Sequence, residues 1–170
     1  MILNRISIEQ RPTDANGQTI GDWEMDTIAG KGGKGAIVTL VEKKSSYMMM
    51  KKLVKGKQAV PLAMTVVKML REEKIAVRSI TTDNGIEFAA HQIIAKELNT
   101  NVFFTHPYAS WEKGAVENMN GLIRQYITKN VDFRGISEKM IHNIQIKLSN
   151  RPRKKNQYRK PIQLILINNW

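Results

Sequence analysis

The chain has 170 residues, and its 27 Lys and Arg against 15 Asp and Glu give a net charge of +12. It contains no cysteine, which excludes disulfide frameworks, zinc ribbons and thiol catalysis. With 42% hydrophobic and 25% charged residues, the composition is that of an ordinary globular domain rather than a disordered chain.

Residues 1–20 read as a lead-in, with turn signals at Pro12, Asp14 and Asn16-Gly17. Asp22 to Ile28 alternates and carries aromatic and β-branched residues, so it is read as a strand. The Gly-rich segment Gly30 to Gly35 ends it as a flexible hairpin loop. Ala36–Val41 is a mostly apolar and therefore central strand, and Tyr47–Val54 is a third, giving an antiparallel meander. The period then changes. Val60, Ala63, Met64, Val67 and Leu70 predict an amphipathic helix over 58–74, with Pro61 in its first turn. Strands at Val77–Thr81 and Val102–Thr105 bracket a helix at Phe88–Leu98. A loop over Pro107–Gly114 leads into a helix marked by Ala115, Val116, Met119, Leu122, Ile123 and Tyr126. A last helix spans Ser137–Leu148, with Ser137 as N-cap. The order βββ-α-β-α-β-α-α predicts an α/β fold with a five-stranded mixed sheet flanked by helices.

The isoelectric point near 10.0 favours a polyanionic partner, nucleic acid before a membrane surface. No apolar run approaches the roughly 18 residues of a membrane span. No basic-then-apolar leader opens the chain, so a soluble cytoplasmic protein is expected.

Three acids stand out. Asp26 lies mid-strand, where Asp is disfavoured, and by alternation shares a face with Glu24 and Ile28. The competing reading is a solvent-facing edge-strand Asp. Asp83 follows a strand directly, at the end where α/β folds collect ligands; Asp83-Asn84-Gly85 is also good turn chemistry. Glu117 heads a helical face with Asn120, Gly121 and Arg124. That face also reads as solvated, with Lys113 as an i−4 ion-pair partner. Gly121 is less natural there, because mid-helix Gly costs up to ~1 kcal/mol against Ala; close approach of something to the backbone would account for it. Glu24 is a candidate auxiliary ligand, and Glu87 reads as first-turn helix charge. His106, ending a strand, reads as structural more readily than as a phosphate contact.

Four ordered blocks then become recognisable: GDWEMDTI with Asp26, TLVEKKSSY at 39–47, TTDNGIEF with Asp83, and HPYASWEKGAVENMNGLIRQY with Glu117. They resemble the DDE transposases of bacterial insertion sequences, nearest to the insertion-sequence-30 family, and NRPRK at 150–154 fits the same family. The 33 residues between Asp83 and Glu117 match that family's spacing. The resemblance implies a ribonuclease-H-like, retroviral-integrase-like core over 21–150. It implies that Asp26, Asp83 and Glu117 are catalytic and bind two Mg²⁺ or Mn²⁺ ions, and that the enzyme cuts and joins DNA. It also implies a homodimer, with DNA and no small molecule as substrate. The sequence departs from the family at Met25, Ser46 and Val116, where glycine, arginine and asparagine are expected. The family's usual leading helix-turn-helix does not precede Met1, so the chain reads as an excised core or a shortened relic. A nuclease that does not join strands and a non-catalytic DNA-binding relic are the alternatives.

The chemistry suits these residues. Phosphodiester transfer needs an in-line nucleophile and relief of charge on the phosphate, and two hard cations supply both. Such cations take oxygen ligands. Three crowded carboxylates repel one another, so without metal an incomplete site is expected. DNA contacts are expected from Lys31 and Lys34 in the Gly-rich loop, from Lys113, Asn118, Asn120 and Arg124 around Glu117, and from Arg151, Arg153, Lys154 and Lys155. Tyr108 and Trp111 are loop aromatics able to stack on an unpaired base or to pack on the following helix. The tail 151–170 is basic, then apolar over Ile162–Trp170, and is expected to pack on the core or a neighbour.

Overall fold

The computed structural model of the protein describes residues 1–168. Among them the chain runs β1 (Ile6–Ser7), β2 (Asp22–Ala29), β3 (Ala36–Glu42), β4 (Met48–Leu53), α1 (Ala59–Glu73), β5 (Ser79–Thr82), α2 (His91–Leu98), β6 (Asn101–Phe104), α3 (Gly114–Ile123), α4 (Glu138–Ser149) and α5 (Pro161–Asn168). The strands form one mixed sheet in the order β1-β6-β5-β2-β3-β4. The meander β2-β3-β4 is antiparallel, and β5, β6 and β1 extend the sheet in parallel.

The sheet has six strands among the described residues, not the five expected. The extra strand is Ile6–Ser7, which pairs with Phe103 and Phe104. Two residues carry no readable period, so only their neighbour in space makes them a strand. The apolar end of the tail is likewise a helix, α5, and Ile165 joins the core. Trp170 lies outside the described residues.

Strand alternation divides the interior. Trp23, Met25, Val38, Leu40 and Ile80 face α1 and α2. Ile28, Ile37 and Val41 face α3 and α4, where Val116, Met119, Ile123, Phe133, Ile144 and Leu148 cover them. α1 buries Leu62, Ala63, Val66, Val67 and Leu70 at helical spacing. Pro61 sits in its first turn, where a missing N–H does no harm. The helix stops at Lys74, in the left-handed conformation. α4 is capped by the Ser137 hydroxyl, which accepts from the Met140 amide at 3.1 Å.

The Gly-rich loop was expected to be flexible, but it is docked. The Lys31 amide donates to Val131 O at 2.8 Å, and the Phe133 amide donates to Lys34 O at 2.9 Å. A Cβ on Gly35, at φ +79°, would lie 2.9 Å from Phe133 and from the Arg134 amide nitrogen. The glycines therefore serve close packing as well as chain reversal.

Candidate active site

Strand register sets the floor of the site. β2 and β5 are parallel neighbours, with Asp22 opposite Ser79, Trp23 opposite Ile80 and Glu24 opposite Thr81. Extending that register by two residues sets Asp83 opposite Asp26, just past the carboxyl end of β5. Residues in register across parallel strands point to the same face, so two acids distant in sequence become neighbours.

Both carboxylates are held. Asp26 Oδ1 accepts the Thr27 amide at 2.8 Å, and Asp26 Oδ2 accepts the Asn120 side-chain amide at 3.1 Å. Asn120 is aimed in turn by Thr39, whose hydroxyl donates to Asn120 Oδ1 at 2.9 Å. Thr39 lies opposite Asp26 on β3. Asp83 Oδ1 accepts the Gly85 amide at 2.9 Å, so Asp83 does organise its turn, while its Oδ2 remains free to face inward. A Cβ on Gly85 would come within 3.0 Å of Asp83 Oδ1 and 2.5 Å of Glu87 Oε2, so a side chain there would displace one or both carboxylates.

The inward oxygens meet one cation. Lys113 Nζ donates to Asp83 Oδ2 at 3.0 Å and lies 3.5 Å from Asp26 Oδ1. The residue is only 2% exposed. Burial pushes the Asp26 carboxyl above the usual carboxylate range; Lys113 and the Thr27 amide pull it back, and the charge of Asp83 adds to the rise. Lys113, expected on the DNA-facing surface, thus points into the fold.

Glu117 stands apart from this pair. It is exposed on the first turn of α3 and, with Asp83, Ser110, Tyr108 and Lys113, lines a depression of about 330 Å³. Among the described residues, no three of His, Asp and Glu lie close enough together to hold an ion. The donor chemistry nevertheless suits a hard divalent cation. Asp26 and Asp83 present carboxylate oxygens to one positive centre, and Lys113 already supplies a charge there. Asp26 and Asp83 would hold the ion, and Glu117 lines the depression beside Asp83.

The other acids singled out in the sequence have partners of their own. Glu24, buried on the same face as Asp26, accepts the Val116 amide at 2.8 Å, which fastens the start of α3 to β2. Burial raises its carboxyl, opposed by the Val116 amide and Lys43. Glu87 accepts the Thr27 hydroxyl at 2.9 Å and lies 3.5 Å from Lys57. His106 is bracketed by Glu112 at 2.8 Å and Glu9 at 3.0 Å; hydrogen bonds that its ring donates to both carboxylates, Glu112 first, hold its pKa above the usual value.

No protein-family model matches the chain. The transposase for insertion sequence element IS4351 of Bacteroides fragilis is 47% identical over 161 residues, 94% of this chain and 49% of that protein. The transposase InsI for insertion sequence element IS30A of Escherichia coli K12 is 32% identical over 166 residues, 96% of this chain and 43% of that protein. The chain is a homologue of the insertion-sequence-30 family transposases. It spans about half the length of these relatives. The catalytic core domain of BIV integrase superposes with a TM-score of 0.62 at 20% identity, over 86% of this chain and 93% of that one. The fold is therefore the retroviral-integrase type of the ribonuclease-H-like class.

The departures from the transposase family pattern are accommodated. Met25 is buried beneath α1 and α2, and Val116 is buried under α3 while its amide serves Glu24. Ser46 adopts φ 62° in the turn between β3 and β4. The expected DNA-contact residues divide by accessibility. Lys31, Lys34, Asn118, Arg151 and Lys154 are exposed, and Trp111 and Tyr108 are 76% and 100% exposed. Arg124 instead donates to Ala29 O at 3.0 Å and stacks on Phe133 at 5.3 Å, and burial lowers its pKa. Arg153 is half-buried and donates to Leu148 O at 3.1 Å; Lys155 is exposed, but its ammonium donates to Lys43 O at 2.6 Å. A Cβ on Gly121 would meet nothing within 4 Å, so no close approach by the described residues explains that glycine. Sequence reasoning missed Thr39, and the inward aim of Asn120 with it. The signal was a threonine in a central apolar strand, uninterpretable until register set it opposite Asp26.

Proposed function

We propose that this chain is the catalytic core of a DNA transposase that cleaves DNA strands at insertion-sequence ends and joins them to target DNA. The observation that carries the reading is the in-register pair Asp26 and Asp83, both turned onto one positive charge. The sequence relatives, transposases for insertion sequence elements, support it. Asp26, Asp83 and Glu117 are assigned the catalytic and metal-holding roles. Two Mg²⁺ or Mn²⁺ ions would supply charge relief at the scissile phosphate and activation of the attacking oxygen. The protein's own part is positioning. Thr27 and Asn120 orient Asp26, the Gly85 amide orients Asp83, and Glu24 anchors the helix that carries Glu117.

Lys31, Lys34, Arg151 and Lys154 are exposed cations suited to phosphates flanking the site, and Trp111 and Tyr108 are exposed rings suited to stacking on an unpaired base. Residues 21–150 form the catalytic unit in this reading, and the basic stretch after them extends the DNA contact. A homodimer would bring two DNA ends together, and the site of action is the bacterial nucleoid in the cytoplasm.

The test is nicking of supercoiled plasmid with Mn²⁺, followed by joining of a pre-cut insertion-sequence end to target DNA. Both activities, lost in Asp83→Asn, support the transposase. Nicking without joining indicates a nuclease. DNA binding with neither activity indicates a relic.

A further inference from the structure

Lys113 has a role that the proposed chemistry does not require of it. Its ammonium is almost wholly buried, with a side-chain exposure of 3%, and a buried cation is tolerated only when it is paired. Its partners are Asp83 Oδ2 at 3.0 Å and Asp26 Oδ1 at 3.5 Å. The other polar groups at the site face the carboxylates rather than the lysine: Asn120 on Asp26 and the Gly85 amide on Asp83. The residue immediately precedes α3, which carries Glu117 four positions on. The same depression is lined by Asp83, Lys113 and Glu117, leaving the lysine solvent-side space of about 330 Å³.

We propose that Lys113 is a resident counter-cation: its ammonium neutralises the Asp26–Asp83 pair in the metal-free protein and must leave that position for a divalent ion to bind. It is a positioning residue, since it acts on the carboxylates and not on the substrate. Two cations cannot share one pair of carboxylate oxygens without strong repulsion, so occupancy is exclusive. The lysine holds the aspartates in place before metal arrives, and it sets a threshold for loading. Its location at the base of α3 links release of the ammonium to the segment bearing Glu117. This inference rests on the metal-site reading above.

The experiment measures Mn²⁺ binding by calorimetry to the wild-type chain, Lys113→Gln, Lys113→Met and Asp83→Asn, without DNA. Loss of the competitor should tighten Mn²⁺ binding about tenfold in Lys113→Gln, a difference of roughly 1.4 kcal/mol. Lys113→Met, which keeps the apolar stem, should behave alike. In parallel, wild-type lysines are pulse-acetylated and mapped by mass spectrometry. Lys113 should be protected without metal and become several-fold more reactive with Mn²⁺, and this readout needs no variant to fold. Unchanged or weaker Mn²⁺ affinity in a folded Lys113 variant, or protection of Lys113 that Mn²⁺ does not alter, overturns the inference. If the wild type binds no more Mn²⁺ than Asp83→Asn, the metal-site reading itself fails and the inference falls with it.

Discussion

Asp26 and Asp83 are fixed by backbone, whereas Glu117 is not. The aspartates owe their meeting to the pairing of β2 with β5, and each also accepts a backbone amide nearby in sequence, from Thr27 and from Gly85. Glu117 projects from the exposed first turn of α3, on a helix joined to the sheet by the Val116 amide on Glu24 and by Asn120 on Asp26. The lesson concerns rigidity. Sheet register tolerates little error, because a one-residue slip reverses every side chain. A helix start leans on a few side-chain contacts, which makes the floor of the candidate site preset and its rim adjustable.

Variants can break that comparison. The largest effect is expected at the floor: Asp83→Asn should lower Mn²⁺-dependent nicking by roughly a thousandfold or more, read as an initial rate on supercoiled plasmid. A residual rate near wild type would remove Asp83 from the chemistry. Beneath the rim, Phe133→Ala should cost about 3–5 kcal/mol in urea unfolding, since a fully buried ring also supports the Gly-rich loop and Arg124. Asn120→Ala cuts the tie between α3 and Asp26, and should weaken Mn²⁺ binding by about 10–100-fold in calorimetry. Glu24→Ala strips the Val116 amide of its buried acceptor and should cost about 1–3 kcal/mol of stability; a smaller loss would mean that the start of α3 is held by packing alone.

The smallest effect is a pH dependence at the edge of the rim. Glu112 and Glu9 raise His106 above its unfolded value of about 6.5. A raised imidazole contributes stability that is fully present below the unfolded value and is lost as pH rises through the folded one. Thermal midpoints of the wild type should therefore fall over that interval relative to His106→Gln. Parallel pH profiles would show that the cluster carries no linkage.

Much of the frame was readable in one dimension. Periods of two and of helical spacing located β2, β3, β4, α1 and α4, and alternation on β2 correctly separated Trp23 and Met25 from Glu24 and Asp26. The misreadings share a cause. Ile6–Ser7 is a strand only because β6 lies beside it. The Gly30–Gly35 loop is held by residues 131–134, a hundred positions downstream. Lys113 and Arg124 were read as surface cations, yet one sits between two aspartates and the other on Ala29 O.

By itself the sequence determined charge, fold class, family likeness and the identity of the unusual acids, because these depend on composition, local period and ordered motifs. Only the tertiary structure decided which groups face one another: that Asp83 stands in register with Asp26, that Thr39 aims Asn120, and that a buried ammonium occupies the gap. Local propensity acts over a few residues along the chain, whereas pairing across a sheet is set by the burial of whole faces, and no short window of sequence contains that information.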